Sequence, residues 1–395
     1  MGKSERLLTP RFLLVVLAGL SYFTALGMLL PVVPLYVRGE LGSGDAGVGV
    51  AVGALFVGAV LLRPYTGRLG DRVGRRVLII GGALVVAASV AATGVVASLP
   101  YLVAVRLVGG LGEAAFFVGA ATMITDLAPA SRRGEALSYW SVAIYGGLAF
   151  GPALGETVLG DDRFLAVWLV AGALLTTAAA LGFGTVEVAR PEGAPATGPL
   201  WNRAALPPGL VLFLGLLSLA AFSTLVRLYA GELGMDGATP VFLLYGGLVL
   251  CVRIVGARLP DLLGARRAGT AALSAAAAGM LLTAAWAQPG GLFVGTALFA
   301  AGMSLLYPAL LLLALSRAPD TERASVVGTF SSFFDLSQGI GALLFGGIAD
   351  LAGYRGAFLT AAGAALVGIA VLRGGVSRRA PAHRVAEPGA EAFPA

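Results

Sequence analysis

From the N-terminus, the chain alternates long apolar runs with short polar breaks. The first run, "FLLVVLAGLSYFTALGMLLPVVPLYV", carries no charged residue over more than the ~20 positions a membrane-spanning helix needs. The runs are apolar throughout rather than alternating with period two. Because backbone groups in lipid must be paired internally, this predicts helices and excludes a closed barrel. Twelve spans follow, at 12–36, 46–67, 77–97, 101–125, 136–159, 164–185, 208–230, 239–257, 268–286, 291–315, 325–349 and 355–373. The one long polar break, 186–206, is rich in Pro and Gly and reads as a linker. It separates an N-terminal six-helix half (1–185) from a C-terminal one (207–373), and a tail at 374–395 is expected to be disordered.

Composition strengthens this reading. With 58% apolar residues, 12% charged and a mean hydropathy of +0.89, the chain has too little polar surface for a soluble domain. The first run is too long for a signal peptide and lacks a small-x-small cleavage site, so it reads as the first span. Cys251 is the single cysteine and excludes an intramolecular disulfide, and His383, the single histidine, lies in the polar tail. No Cys/His metal site is available and no cofactor is expected. The pI near 9.8 does not point to nucleic acid, because the arginines fall between spans rather than on one face. They fall unevenly. Lys3, Arg6, Arg11, Arg68, Arg72, Arg75, Arg76, Arg132, Arg133, Arg190, Arg203, Arg258, Arg266, Arg267, Arg317 and Arg323 lie on one side, and only Arg38, Arg163, Arg227 and Arg355 on the other. The positive-inside rule then places both termini in the cytoplasm, as an even number of spans requires.

The two halves repeat. "RPYTGRLGDRVGRR" (63–76) recurs at an offset of 190 residues as "RIVGARLPDLLGAR" (253–266), so that Arg63, Arg68, Leu69, Asp71, Gly74 and Arg76 match Arg253, Arg258, Leu259, Asp261, Gly264 and Arg266. "APASRR" (128–133) aligns at the same offset with "APDTER" (318–323), and "LYVRGELG" (35–42) is echoed by "LYAGELG" (228–234). Parallel six-helix repeats put a substrate site between the halves near the bilayer midplane.

These residues resemble the major facilitator superfamily over the whole chain apart from its tails. "GRLGDRVGRR" is similar to that family's loop between helices 2 and 3, with Gly67, Asp71, Gly74, Arg75 and Arg76 in place. "YLVAVRLVGG" is similar to its helix 4 motif through Arg106 and Gly110. "GLAFGPALGE" is similar to the helix 5 motif of its antiporter branch through Gly147, Gly151, Pro152 and Gly155, with Glu156 where a glycine is common. The resemblance implies an all-α membrane fold of twelve helices in two pseudo-symmetric halves. It also implies a conformational latch in which Asp71 faces the helix beginning near Ala324 and Arg75 pairs with Asp126, a carboxylate at a helix N-terminus being favoured there. The second copy has Pro260 and Ala265 in place of Gly70 and Arg75 and is expected to latch more weakly.

Three acids lie well inside predicted spans: Glu113, Glu156 and Asp335. Each costs a few kcal/mol to insert and is a functional candidate. A coupling site needs an acid that gains and loses a proton as an arginine contact is broken and made. Glu113 is the first candidate, with Arg106 two turns away on nearly the same helix face. Asp335 is the second, with Arg63 as partner because helices 2 and 11 face each other in the family. Glu156 could equally pair with Arg106. Tyr22, Trp140, Tyr145, Tyr307, Phe334 and Gln338 are candidates to line a cavity. No G-x-x-x-x-G-K-[ST] phosphate loop is present, and no catalytic constellation points to an enzyme.

The expected function is secondary transport by alternating access, with export of small amphiphilic or drug-like molecules in exchange for protons. The alternatives are proton-coupled movement of a sugar, organic acid or other nutrient, or a transport-inactive receptor or scaffold. Expected partners are a small-molecule substrate, protons and the lipid bilayer, with the protein a monomer in the inner (plasma) membrane.

Overall fold

The computed structural model describes residues 7–95, 98–129, 132–187, 202–255, 263–318 and 323–374. The side chains of a few residues within these ranges, Gly67 and Asp71 among them, fall outside that description, as do the tail and most of the linker. The chain forms α1 (Pro10–Gly39), α2 (Asp45–Val73), α3 (Arg75–Thr93), α4 (Leu99–Leu127), α5 (Arg133–Leu159), α6 (Phe164–Phe183), α7 (Leu206–Glu232), α8 (Thr239–Val255), α9 (Ala265–Ala285) and α10 (Pro289–Leu315). A last helical stretch, Arg323–Gly374, turns at Gly353, where φ is 69°, and so divides into α11 (323–352) and α12 (354–374). Ten helical stretches among the described residues are long and apolar enough to cross a bilayer. The turn at Gly353 makes two spans of one of them, and the shorter α8 supplies the twelfth. The protein is a multi-pass, all-helical membrane protein.

Local chemistry sets the helix ends. The Thr9 hydroxyl accepts a hydrogen bond from the Phe12 N–H at 3.2 Å, and Pro10 opens α1, where its missing N–H costs nothing. One boundary differs from expectation: α2 continues to Val73 instead of ending near residue 67. Arginine, threonine and leucine do not break a helix, so the charged stretch leaves the apolar layer still helical. Only Gly74, at φ 94°, ends it.

The repeat is visible in three dimensions. Arg76, at the start of α3, donates to the Phe183 carbonyl at the end of α6 at 2.6 Å; its repeat mate Arg266 donates to the Arg373 carbonyl at the end of α12 at 2.5 Å. Near the other ends of the helices, the Tyr36 hydroxyl donates to the Thr93 carbonyl, and the Tyr229 hydroxyl to the Thr283 carbonyl. Buried apolar side chains form one core from Leu7 to Ala179, joined by Ala342, and a second from Ala205 to Leu372.

The halves meet along α2 with α11 and α5 with α8. Glycines allow the first contact: a Cβ on Gly53 would lie 2.8 Å from the Gly339 carbonyl oxygen, and one on Gly346 2.8 Å from Gly49 Cα. In the second, a Cβ on Gly246 would lie 2.5 Å from Ala149 Cα. Such close backbone approach is how membrane helices associate without a hydrophobic drive. At the end remote from the termini, each half also supplies a carboxylate to the other. Asp350 of α11 accepts from the N–H groups of Asp45 and Ala46 at the start of α2, at 2.7 and 2.9 Å. Glu156 of α5 accepts from the N–H groups of Ala238 and Thr239 at the start of α8, at 3.0 and 2.5 Å, and from the Thr239 hydroxyl.

Candidate functional site

α2 and α4 pack so closely that a Cβ on Gly110 would lie 2.7 Å from Ala59 N and 2.9 Å from Gly58 Cα. That approach, with the glycine contact of α2 on α11, brings three charged side chains from three helices together. Arg63 of α2 donates through Nη2 to both oxygens of Glu113 on α4, at 3.2 and 3.0 Å. Its Nε lies 2.6 Å from Asp335 Oδ2 on α11, an ion pair whose N–H is not directed along the contact. The three side chains retain only 7%, 7% and 2% of their exposure. The Phe117 ring lies under the guanidinium, 4.7 Å from its carbon. One cation from the first half is thus shared between an acid of its own half and an acid of the other. One guanidinium neutralises one carboxylate; the second carboxyl is neutral only when it holds a proton.

The expected pairing of Glu113 with Arg106 is corrected. Arg106 is buried, and its Nε donates to the Ala51 carbonyl at 2.5 Å. Seven residues put Arg106 and Glu113 on one face but about 10 Å apart along the axis. Side chains on a helix lean toward its N-terminus, so Arg106 reaches away from Glu113. Nor does Glu156 pair with Arg106. It sits at the α8 cap, 2.6 Å from Arg227 Nε of α7.

Three of the cavity candidates are buried. Tyr22 is fully buried and stacked on Phe116 with centroids 3.8 Å apart; Trp140 is edge-on to Phe23 and Phe117; Gln338 is buried on α11. Large rings on helices of one half serve its core first, because that buries the most apolar area. Tyr145, Tyr307 and Phe334 are half-buried. Tyr145 lies under the Arg253 guanidinium, 3.7 Å from its carbon, and the Tyr307 hydroxyl hydrogen-bonds Ser331 at 3.0 Å. In the helix 5 motif, Gly147, Gly151, Pro152 and Gly155 face α1. A Cβ on Gly151 would lie 2.7 Å from Gly27 Cα, and one on Gly27 3.2 Å from Pro152 Cδ.

In the loop cluster, Arg75 Nε meets Asp126 Oδ2 at 2.8 Å. The surroundings of Gly67 and Asp71 lie outside the description. Sequence reasoning missed Glu187, whose carboxylate accepts from the N–H groups of Arg75 and Arg76 at 2.9 and 3.0 Å. A Cβ on Gly74 would lie 2.9 Å from Glu187 Oε2. An isolated acid just beyond a span, opposite a run of arginines, was the available signal. Arg227, Asp350 and Arg253 were also missed as partners.

The description of the Major Facilitator Superfamily matches residues 15–290 and 254–394. An uncharacterized MFS-type transporter of Salmonella typhimurium is 31% identical over 369 residues, covering 89% of this chain and 93% of the relative. Another, from Burkholderia mallei, is 29% identical over 361 residues, covering 88% of each. Among solved structures, a bacterial homolog of the human lysosomal transporter Spinster, inward-facing and occupied, superposes with a TM-score of 0.77 at 14% identity, covering 92% of this chain and 95% of that one. The nucleoside transporter NupG gives 0.76 at 12% identity over 92% and 98%, and the human organic anion transporter MFSD10 gives 0.68 at 21% over 92% and 99%. At these identities the superpositions speak for the fold alone. The matched family description and the Salmonella relative, each spanning most of the chain, carry the assignment: the protein belongs to the major facilitator superfamily and is a transporter rather than an enzyme.

Proposed function

We propose that the protein works by alternating access and couples proton movement to export of small amphiphilic molecules, with Arg63, Glu113 and Asp335 as the coupling group. The observation that carries this reading is the sharing of one buried guanidinium between acids of opposite halves. Rocking the halves apart separates Asp335 from Arg63 and Glu113 and admits water, where the carboxyl gives up its proton; closing them buries two acids on one guanidinium and requires a proton again. Export is favoured by the helix 5 resemblance. The cytoplasmic placement of both termini, in the inner membrane, follows from the arginine asymmetry. The loop residues Gly67, Asp71, Gly74, Arg75, Arg76 and Asp126 serve this cycle as the latch of the terminal end.

The test is purified protein in sealed vesicles containing a pH-sensitive dye, challenged across an imposed proton gradient with cationic dyes, antibiotics, nucleosides, sugars and organic acids. Proton movement elicited by an amphiphilic compound supports the proposal. A response confined to sugars or nucleosides would transfer the assignment to nutrient transport, and compound movement without proton movement would remove the coupling role.

A further inference from the structure

Arg253 on α8 is the repeat mate of Arg63, at the offset of 190 residues. That offset also relates Asp335 to Tyr145, Glu113 to Met303 and Phe117 to Tyr307. Wherever the first arginine meets a carboxyl, the second therefore has a phenol ring or a thioether. The cross-half geometry is kept all the same: Arg63 reaches from α2 to Asp335 on α11, and Arg253 reaches from α8 to Tyr145 on α5. Met303 is 7% exposed, so the position of the second acid is filled with apolar volume.

The consequence is a cation without an anion. Among the described residues Arg253 meets the Tyr145 ring rather than an acid, and its Nε is buried without a hydrogen-bond partner. A cation–π contact is worth roughly 0.5–2 kcal/mol, and the half-buried Arg253 keeps donors that the ring does not satisfy. The guanidinium is also a rigid fork of donors, suited to a carboxylate in two-point contact. Arg63 cannot serve, because both its carboxyl partners are already in place, and they face Arg63 rather than Arg253. Around Arg253 the wall is phenolic. Tyr245 lies within electrostatic range of Arg253 and Tyr145 and stacks on Phe299 with centroids 5.6 Å apart. Tyr307 lies within range of both Tyr145 and the Arg63–Asp335 pair.

We propose that Arg253 binds a carboxylate of the transported molecule, with Tyr145 and Tyr245 holding the aromatic or apolar part beside it. This rests on the transport reading and names its substrate class: small amphiphilic acids. The repeat has divided two duties, the first-half arginine serving protons and the second-half arginine serving substrate.

The test measures ligand-dependent thermal stability of the purified protein by differential scanning calorimetry. The probes are benzoate, 1-naphthoate and indole-3-acetate, each beside its own primary amide. The parent is expected to bind at least one acid roughly tenfold more tightly than its amide, about the worth of one charged contact. Arg253→Gln should bring acid and amide together, and Arg253→Lys should recover part of the gap. Tyr145→Leu should weaken both severalfold. Equal binding of acids and amides by the parent, or a preference that survives Arg253→Gln, would overturn the assignment; so would a parallel loss of both in Arg253→Gln, the mark of a structural role. If Arg253→Gln does not fold, Arg253→Lys reads the same gap, and an undiminished gap there removes the guanidinium fork. Acid preference without acid movement in vesicles would keep Arg253 as the binding residue and sink the transport reading instead.

Discussion

Arg63 reaches Glu113 through Nη2 and Asp335 through Nε, so each substitution in this trio leaves a different imbalance. Arg63→Gln strands two acids away from water and should lower stability by about 3–5 kcal/mol, the cost of breaking a buried pair. Adding Glu113→Gln and Asp335→Asn should restore most of the loss, as thermal melting in detergent would show; no rescue would mean the trio does not carry the charge balance. At this scale the sequence was partly legible. An acid inside an apolar run declares itself, and all three were found that way. Arg63 as the partner of Asp335 followed from the family resemblance, but the partners of Glu113 and Glu156 did not, because periodicity gives the face of a helix but not the reach of a side chain. Arg106 and Glu113 share a face, yet Arg106 leans toward its own N-terminus and ends on the Ala51 carbonyl.

At the scale of elements, spacing was more informative than identity. Gly147, Gly151 and Gly155 recur every four residues on α5 and make the seam with α1, where a Cβ at Gly151 would fall 2.7 Å from Gly27 Cα. Gly151→Val should therefore cost about 1–3 kcal/mol through overpacking, read as a lower melting temperature, and an unchanged melt would argue against the seam. The carboxylate caps were not legible in this way. Asp350 and Glu156 act across halves, and no local pattern marks their targets. Both targets do follow a glycine, Gly44 or Gly237, where a Cβ would lie 3.1 or 3.0 Å from the capping oxygen. A capping carboxylate is worth about 0.3–1 kcal/mol when exposed and up to about 2 when partly buried. Glu156, with 10% side-chain exposure, should thus hold more firmly than exposed Asp350. Spin labels at Asp161→Cys and Gln288→Cys, in a Cys251→Ser background, span the halves at this end. Glu156→Gln should raise the population of longer distances severalfold, and combination with Asp350→Asn should raise it further. Identical distributions in parent and double variant would show that the caps do not hold the end closed.

For the whole molecule, the offset between the halves was the most productive feature of the sequence. It predicted two six-helix units before any contact was known, and it reappears in the paired bonds of Arg76 and Arg266. What it did not reveal is how far the copies have diverged in charge. That depends on which residues of opposite halves face each other, and linear spacing within one half is silent on it. The division between a carboxyl-paired Arg63 and a phenol-paired Arg253 is a property of the assembled pair. The central claim, that the carboxyl-paired side moves protons, can be tested with whichever compound the vesicle screen identifies. The most direct measurement compares two modes in the parent, Glu113→Gln and Asp335→Asn: movement driven by a proton gradient, and equilibrium exchange without one. At least one variant should lose gradient-driven movement and keep exchange. Gradient-driven transport at parental rates in both variants would contradict it.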